Sequence, residues 1–548
     1  MQARNNGITE KKGTFMIGNH RQTGSYYTSG EIAEYMSNWG IRSPRDVLLE
    51  PSFGEGVFID KAYGRYQALG NFQPEIHAVE YQESSLLSFL SKNIKGVNTH
   101  LSDFLAFGLS GMVDVVLGNP PYVSLKNLPE NIRASAIDVI ARRSLTIPTN
   151  GSLWFPFVVH ATSLINPGGR LAFVLPYEIT YVQYATELWK FLCGNFSRVT
   201  LVRVFEDFFP AVDVETVLLL VDGKGGTTNN IVYKVYQTVK DLIKGNAVSE
   251  TNVHIRSIAK GAKPFTSALM KDEEARLLSQ LRDSGIVEPI ANSCKFKIGY
   301  VSADKAYFHP SQTTVEQYSI PEENLVPSIL NSKEINGGTG VGLSVDAGQC
   351  ASRLYLPGTI TSGDARYIES GVLNGVADKY KCRNRKPWYV TPCVEIPDVI
   401  LSVFGDVPKL VVNNGGYAAS NSLLCGTLAS EVDKRDFACR WYNSLTLLSV
   451  ELNVHSLGGG SLVIIPGEAD ALSLARALPA NLVDSIYGQL EDCICAKGLT
   501  GAYRLGDELV LKNVFGMTEK QVSAIRESVN SLKCWRMPNL RRNNRVNN

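Results

Sequence analysis

The sequence predicts an α/β protein in which a mostly parallel, seven-stranded sheet with helices on both faces is followed by a second domain of mixed α+β structure. Two observations carry this. From Val47 to about Asp222 short apolar runs alternate with longer amphipathic stretches, the pattern of a parallel sheet covered by helices. After about Lys260 the alternation stops, and glycine-rich patches (NGGTGVG, NNGGY, HSLGGGSL) and frequent prolines interrupt short strand-like runs. The expected domains are residues 1–250 and 251–548.

The elements follow in order. A helix begins at SGEIAEYM. The strands are VLLEPS, EIHAVEY, NTHLSDF, VDVVLGNP, RLAFVLP, SRVTLVRVFED and TVLLLVD. The last two are separated by a segment around Phe208 to Val214 that is too short for a crossover helix, so they are expected to pair antiparallel at the sheet's edge. IVYKVYQTVKDLIKG completes this half. Between the fourth strand and SLWFPFVVHATSLINPGG lies an insertion carrying Lys126, Arg133, Arg142 and Arg143, expected as a surface helix, the alternative being a segment that closes over a polyanion's backbone. The basic end with Arg541, Arg542 and Arg545 reads as a frayed tail.

Composition bounds the class. With 548 residues, 44% hydrophobic and 20% charged, the chain can bury more than one core. Lys plus Arg (54) and Asp plus Glu (53) nearly cancel, so a polyanion would have to be held by locally clustered charge. The 10 cysteines are scattered, and the closest pair, Cys493 and Cys495, lacks zinc-site spacing, so no metal is expected and the thiols read as reduced. The N-terminus has no apolar signal region and no run reaches membrane-spanning length; a soluble, cytoplasmic protein is expected, with no membrane partner.

The strongest chemical signal is Asn119-Pro120-Pro121-Tyr122. It follows the run VDVVLG directly, at the carboxyl end of a strand, where open α/β sheets bind ligands. An exocyclic amine such as adenine's is a poor nucleophile because its lone pair is delocalised into the ring. Two acceptors pulling on its two N–H bonds would make that nitrogen more tetrahedral. The Asn119 side-chain oxygen can be one and the Pro120 carbonyl the other. Tyr122 can then stack on a flipped base.

A second signal is the end of the first strand, Glu50-Pro51-Ser52-Phe53-Gly54-Glu55-Gly56, whose glycines let backbone approach a nucleoside-type ligand. It is not a dinucleotide fingerprint, because the third small residue is replaced by Ile59. Glu80 ends the second strand, where a carboxylate can accept from both ribose hydroxyls. Asp103, followed by Phe104, ends the third, where it can accept from an adenine amine.

Together these motifs resemble the gamma-class N6-adenine DNA methyltransferases of restriction-modification systems, over roughly Gln22 to Gly225, about two fifths of the chain. The resemblance implies a Rossmann-like class I methyltransferase domain using S-adenosyl-L-methionine. Thr23-Gly24-Ser25-Tyr26-Tyr27-Thr28 is similar to the cofactor-binding segment that precedes the first strand in that class. It implies that Thr28 lies near the cofactor's methionine part and Glu50 near its amino group, with Pro51, Ser52, Gly54, Gly56, Glu80, Asp103, Phe104, Asn119 and Pro121 lining the same site. Phe157 is similar to the aromatic residue packed on the cofactor's adenine, and Phe209 to the one that sandwiches the extruded base opposite Tyr122.

Family logic makes the C-terminal half a DNA target-recognition domain. In it, Lys381, Arg383, Arg385, Lys386 and Trp388 mix cations with aromatics, as a phosphate- or base-contacting loop would. The expected partner is double-stranded DNA, bound as a monomer, with a cognate restriction endonuclease encoded separately, since no nuclease motif stands out. Alternatives share the amine chemistry: an RNA or a protein glutamine as substrate, or a modification subunit that needs a separate specificity protein. The long C-terminal half favours DNA.

Overall fold

The computed structural model describes residues 28–92, 94–109, 111–206, 215–258, 263–336, 341–456 and 460–537. Phe209, residues 23–27 and the basic end lie outside the described residues. The chain divides into two compact units, Met1–Arg256 and Ser257–Asn548.

The first unit is built on one sheet. Helix α1 (Gly30–Gly40) starts at Ser29, whose side chain accepts from the Ile32 amide and caps the first turn. Strands β1 (Leu48–Glu50), β2 (Ile76–Glu80), β3 (Val97–Leu101), β4 (Val113–Gly118), β5 (Ile165–Pro176), β6 (Phe196–Val204) and β7 (Thr216–Lys224) fall on the seven runs read from the sequence. Helices α2 (Val57–Ala68), α3 (Glu83–Leu90), α4 (Glu130–Ala141), α5 (Trp154–Ser163) and α6 (Ala185–Cys193) connect them.

The sheet differs from the expectation in size and in its edge. Among the described residues it has nine strands in the order β3-β2-β1-β4-β5-β7-β6-β8-β9, with β8 (Asn230–Tyr236) and β9 (Ser249–His254) added and α7 (Val239–Lys244) between them. β6 and β7 pair antiparallel as expected, but not at the edge. β7 inserts between β5 and β6, β8 runs parallel to β6, and β9 closes the sheet. Periodicity identifies a run as a strand but carries no information on which neighbour takes its free edge, and β6 offers the full row of amide groups that β8 occupies.

Both faces are buried. Leu48, Ile76, Ala78, Val115, Leu117, Ala172, Val174 and Leu218 pack with Ile32, Met36, Phe58, Ile59 and Leu242 from the helices on one side. Leu171, Phe173 and Leu175 alternate with Ala172 and Val174 and are equally buried, so they face the opposite layer. The excursion after Tyr122 returns to its start: Leu153 N donates to the Val123 carbonyl and Leu125 N to that of Gly151. Within it α4 is a surface helix. Its Ile132, Ala136, Val139 and Ile140 are buried, while Arg133 pairs with Glu130 and Arg142 with Asp138.

The second unit is mixed. Its largest sheet orders Cys294–Ile298, Leu423–Leu428, Val399–Ser402, Leu410–Asn413 and Ser344–Val345. A three-stranded sheet joins Arg353–Tyr355, Leu325–Ile329 and Ala418–Ala419. Helical segments include Ser444–Asn453, Ala480–Gly506, which is broken at Gly498, and Glu519–Arg536. All ten cysteines are free thiols. Among the described residues no helix is long and apolar enough to cross a membrane, and no three His, Cys, Asp or Glu side chains are grouped to hold a metal ion.

Candidate active site

Glu50, Glu80, Asp103 and Asn119 lie at or just past the carboxyl ends of β1 to β4 in turn. β4 leads straight into Asn119-Pro120-Pro121-Tyr122, and β1 into the turn from Pro51 to Gly56. These two loops touch. Gly118 lies so close to Pro51 that a Cβ there would sit 3.1 Å from the proline Cδ. The Ser52 hydroxyl donates to the Asn119 carbonyl at 3.2 Å.

Asn119 is held at both ends of its amide. Nδ2 donates to Thr28 Oγ1 at 3.3 Å, and Oδ1 accepts from the Tyr122 hydroxyl at 2.7 Å. Thr28 is buried, one residue before the cap of α1, and α1 packs on β4 and β5.

The acids play different parts. The Glu80 carboxylate accepts from Gly54 N at 2.9 Å and from Gln82 N at 2.8 Å, which fixes it across the β1 turn. Each of its oxygens keeps a lone pair for a further donor. Asp103 accepts from Leu105 N at 3.0 Å, capping a short 3-10 turn at Phe104–Ala106. Glu50 is 1% exposed, and its Oε2 has no hydrogen-bond partner among the described residues. Burial, then the neighbouring charges of Glu80 and Asp60, push the Glu50 carboxyl well above the usual carboxylate range. A buried acceptor without a donor costs about 1–3 kcal/mol, so this atom is suited to receive a donor from a cationic ligand.

Two of the aromatic residues selected from the sequence lie against each other. Phe104 and Phe157 have ring centroids 5.0 Å apart, and both are buried. His160 meets the Phe104 ring edge-on at 4.9 Å and contacts the Phe107 carbonyl at 2.9 Å. Burial lowers its pKa, and because a carbonyl can only accept, Nε2 is the donor in that contact. The turn glycines have a steric cause: Gly56 has φ 81°, and a Cβ there would lie 2.6 Å from Phe89.

Sequence reasoning missed a cluster at the carboxyl ends of β5 and β6. Arg203 is 7% exposed, with its guanidinium 4.1 Å from the Tyr177 ring centre and 4.7 Å from that of Phe205. It donates to the Tyr177 hydroxyl at 3.0 Å and to Glu215 at 3.2 Å. The available signal is an arginine inside the apolar run VTLVRVF. Nearby, Glu178 accepts from Trp154 Nε1 at 2.6 Å.

In the second unit the five selected residues separate into two kinds. Lys381, Arg383 and Lys386 are exposed. Arg385 is tied to the Val301 and Ser302 carbonyls, and Trp388 packs on Tyr307 with ring centroids 5.4 Å apart.

Comparison with known proteins supplies the class, the modification methylases of restriction-modification systems. Residues 65–209 match the Eco57I restriction-modification methylase, and residues 262–511 match the C-terminal domain of the type II methyltransferase M.Eco57I. The chain belongs to this restriction-modification methylase family and carries its C-terminal domain. It is 24% identical over 381 residues to type II methyltransferase M.BstVI of Geobacillus stearothermophilus, a match spanning 58% of this chain and 65% of that protein. It is 23% identical over 316 residues to M.PaeR7I of Pseudomonas aeruginosa, spanning 50% of this chain and 54% of that protein. The chain thus covers less than two thirds of the length of these relatives. In fold it is similar to the type IIL restriction-modification enzyme MmeI, solved in complex with DNA, with TM-score 0.56 at 12% identity over 92% of this chain and 74% of that one.

Proposed function

We propose that the chain is a site-specific DNA adenine N6-methyltransferase, the modification enzyme of a restriction-modification system. The supporting observation is the Asn119 amide, held just past the end of β4 by Thr28 and Tyr122, together with a buried Glu50 Oε2 that has no hydrogen-bond partner among the described residues.

The first unit is read as a Rossmann-like class I methyltransferase domain, whose strands β1 to β7 run in the order β3-β2-β1-β4-β5-β7-β6. S-adenosyl-L-methionine fits the residues present and, when bound, supplies an electrophilic methyl carbon. Glu50 Oε2 accepts from its ammonium, and ionisation of Glu50 then becomes favourable. Glu80, already anchored by Gly54 and Gln82, accepts from the ribose hydroxyls, and Asp103 from the adenine amine. Phe104 and Phe157 pack against that adenine.

The chain's own residues prepare the nucleophile. The Asn119 Oδ1 and the Pro120 carbonyl accept the two N–H bonds of the target adenine's amine and localise its lone pair. Tyr122 and Phe209 sandwich the base; the amine nitrogen takes the methyl as the methyl's bond to sulfur breaks, leaving S-adenosylhomocysteine, and the nitrogen then gives up its extra proton to solvent. Double-stranded DNA is the substrate, recognised by the C-terminal unit, with Lys381, Arg383 and Lys386 as exposed cations for phosphates. The chain acts as a monomer, and a separately encoded endonuclease would use the same site.

The test is expression in cells lacking adenine methylation, followed by sequencing that detects modified bases directly. N6-methyladenine at one short motif is expected. Unmodified DNA from cells containing folded protein that binds S-adenosyl-L-methionine would overturn the reading in favour of another substrate or a missing subunit.

A further inference from the structure

A single exposed leucine or tyrosine calls for no explanation, because much of any folded surface is apolar. A group of them on a cationic stretch is a different matter. In the second unit Val372, Leu373 and Tyr380 are 52%, 81% and 74% exposed. Between Arg366 and Trp388 the chain carries six cations against two acids, Glu369 and Asp378. Lys381, Arg383 and Lys386, all exposed, follow directly after Tyr380.

The stretch is firmly mounted. The helix Ser362–Leu373 turns Tyr367 and Gly371 inward. The Tyr367 ring stacks on Tyr307 with centroids 4.6 Å apart, and a Cβ on Gly371 would lie 2.5 Å from Trp388. Tyr367 and Gly371 are one turn apart and share a face, so Val372 and Leu373, about 100° and 200° further round the helix, point off it. Past the helix, Val376 and Cys382 fill the same core cluster, Arg385 donates to the Val301 and Ser302 carbonyls, and Lys379 pairs with Asp304. The Asn384 side chain donates to the Tyr380 carbonyl at 2.6 Å. The backbone that carries Leu373 and Tyr380 is therefore held, while their side chains face water.

Charge and size select the occupant. Protein interfaces are depleted in lysine and take about 20–30 residues a side to be stable. A few apolar side chains beside Lys381, Arg383 and Lys386 match something smaller, a base step between phosphates. Leucine is among the side chains that wedge into base steps, and an aromatic ring stacks on any base because every base has a π-face. We propose, resting on the DNA-methyltransferase reading above, that Tyr380 stacks on a base of the bound DNA and Leu373 presses against an adjoining base step, while Lys381, Arg383 and Lys386 neutralise nearby phosphates. The apolar pair adds affinity that salt does not screen, and the cations add affinity that it does.

The experiment measures DNA affinity of the full-length protein by fluorescence anisotropy over a series of KCl concentrations, with a labelled duplex carrying the motif found by the sequencing described above. Tyr380→Ala should raise Kd roughly tenfold at every salt concentration and leave the log–log slope unchanged. Tyr380→Phe, which keeps the ring, should bind within about twofold of the parent, and Leu373→Ser should weaken binding about threefold or more. The triple alanine variant at Lys381, Arg383 and Lys386 should instead flatten the slope. Melting temperatures of Tyr380→Ala and Leu373→Ser should match the parent's, since both side chains are exposed; Tyr380→Gln replaces the alanine variant should that one fold poorly. Parent-like Kd in both Tyr380→Ala and Leu373→Ser would overturn the proposal. So would sedimentation showing a parent dimer that Leu373→Ser splits, because the patch would then belong to a second copy. A parent that neither binds nor methylates DNA would overturn the underlying reading, a result plainly different from an active parent whose two variants bind equally well.

Discussion

The two ends of the central sheet treat their carboxylates in opposite ways. At the amino end, Asp114 accepts from Val47 N at 2.9 Å and from Asn166 Nδ2 at 3.0 Å. Asp46 accepts from Arg42 N and Ser43 N and pairs with Arg170 at 3.2 Å. At the carboxyl end, Glu50 is more deeply enclosed than either, yet one of its oxygens has no donor among the described residues and its carboxyl is pushed upward by burial and by Glu80. The same functional group is a structural pin at one end and an incomplete site at the other. What distinguishes them is whether the fold itself supplies the partner.

The largest effect that sharpens this contrast is expected at Asn119. Asn119→Ala should reduce kcat for DNA methylation on the order of a hundredfold or more, while calorimetry shows cofactor affinity little changed. Near-normal turnover would remove the carboxyl end's chemical role.

Glu50→Gln comes next. Loss of a charge-assisted hydrogen bond should weaken S-adenosyl-L-methionine binding by about 1.5–3 kcal/mol without lowering the melting temperature of the ligand-free protein. The raised pKa adds a pH signature. The free protein keeps Glu50 protonated to higher pH than the unfolded chain does, so its stability falls as pH rises from the ordinary carboxylate range to the raised value. Pairing with an ammonium would reverse the preference, so cofactor binding should release a proton and strengthen with pH over that same interval. Calorimetry in buffers of different ionisation enthalpy reads this directly, and proton release should vanish in Glu50→Gln.

Asp114→Ala should do the reverse, lowering stability by about 1–3 kcal/mol in denaturant titration because the Val47 amide and the Asn166 side chain lose their acceptor, with cofactor affinity unchanged. A weakened cofactor site in that variant would break the contrast between the two ends.

The smallest effect lies in the second unit, where the same contrast recurs. Alanine at Lys381, Arg383 and Lys386 together should weaken DNA binding and flatten its salt dependence by about 0.9 in the log–log slope for each phosphate that is no longer neutralised. Arg385→Ala should instead lower thermal stability, because that guanidinium holds two backbone carbonyls.

Much of the first unit was legible because its signals are local. Each of the seven apolar runs became a strand, and Asn119, Glu80 and Asp103 sit at strand ends because β-rich runs stop where the glycine, proline and acid begin. What stayed hidden was relational. Nothing in IVYKVYQ says that it will lie beside β6. Nothing in KYKCRNRKPWY separates a cation already tied to a carbonyl from one facing water. The orphaned oxygen of Glu50 depends on which side chains the fold packs around it, and the ties of Thr28 and Ser52 to Asn119 join residues 67 or more positions apart in the chain.

The close approach of Gly118 to Pro51, with the Ser52 hydroxyl bound to the Asn119 carbonyl, has a consequence for engineering and for evolutionary drift. The turn read as gripping the cofactor and the loop read as gripping the base share a wall, so a substitution in either is felt by both. Changes made there to admit an altered cofactor will not combine additively with changes made at the base loop, and compensating pairs are to be sought across this seam before anywhere else in the first unit.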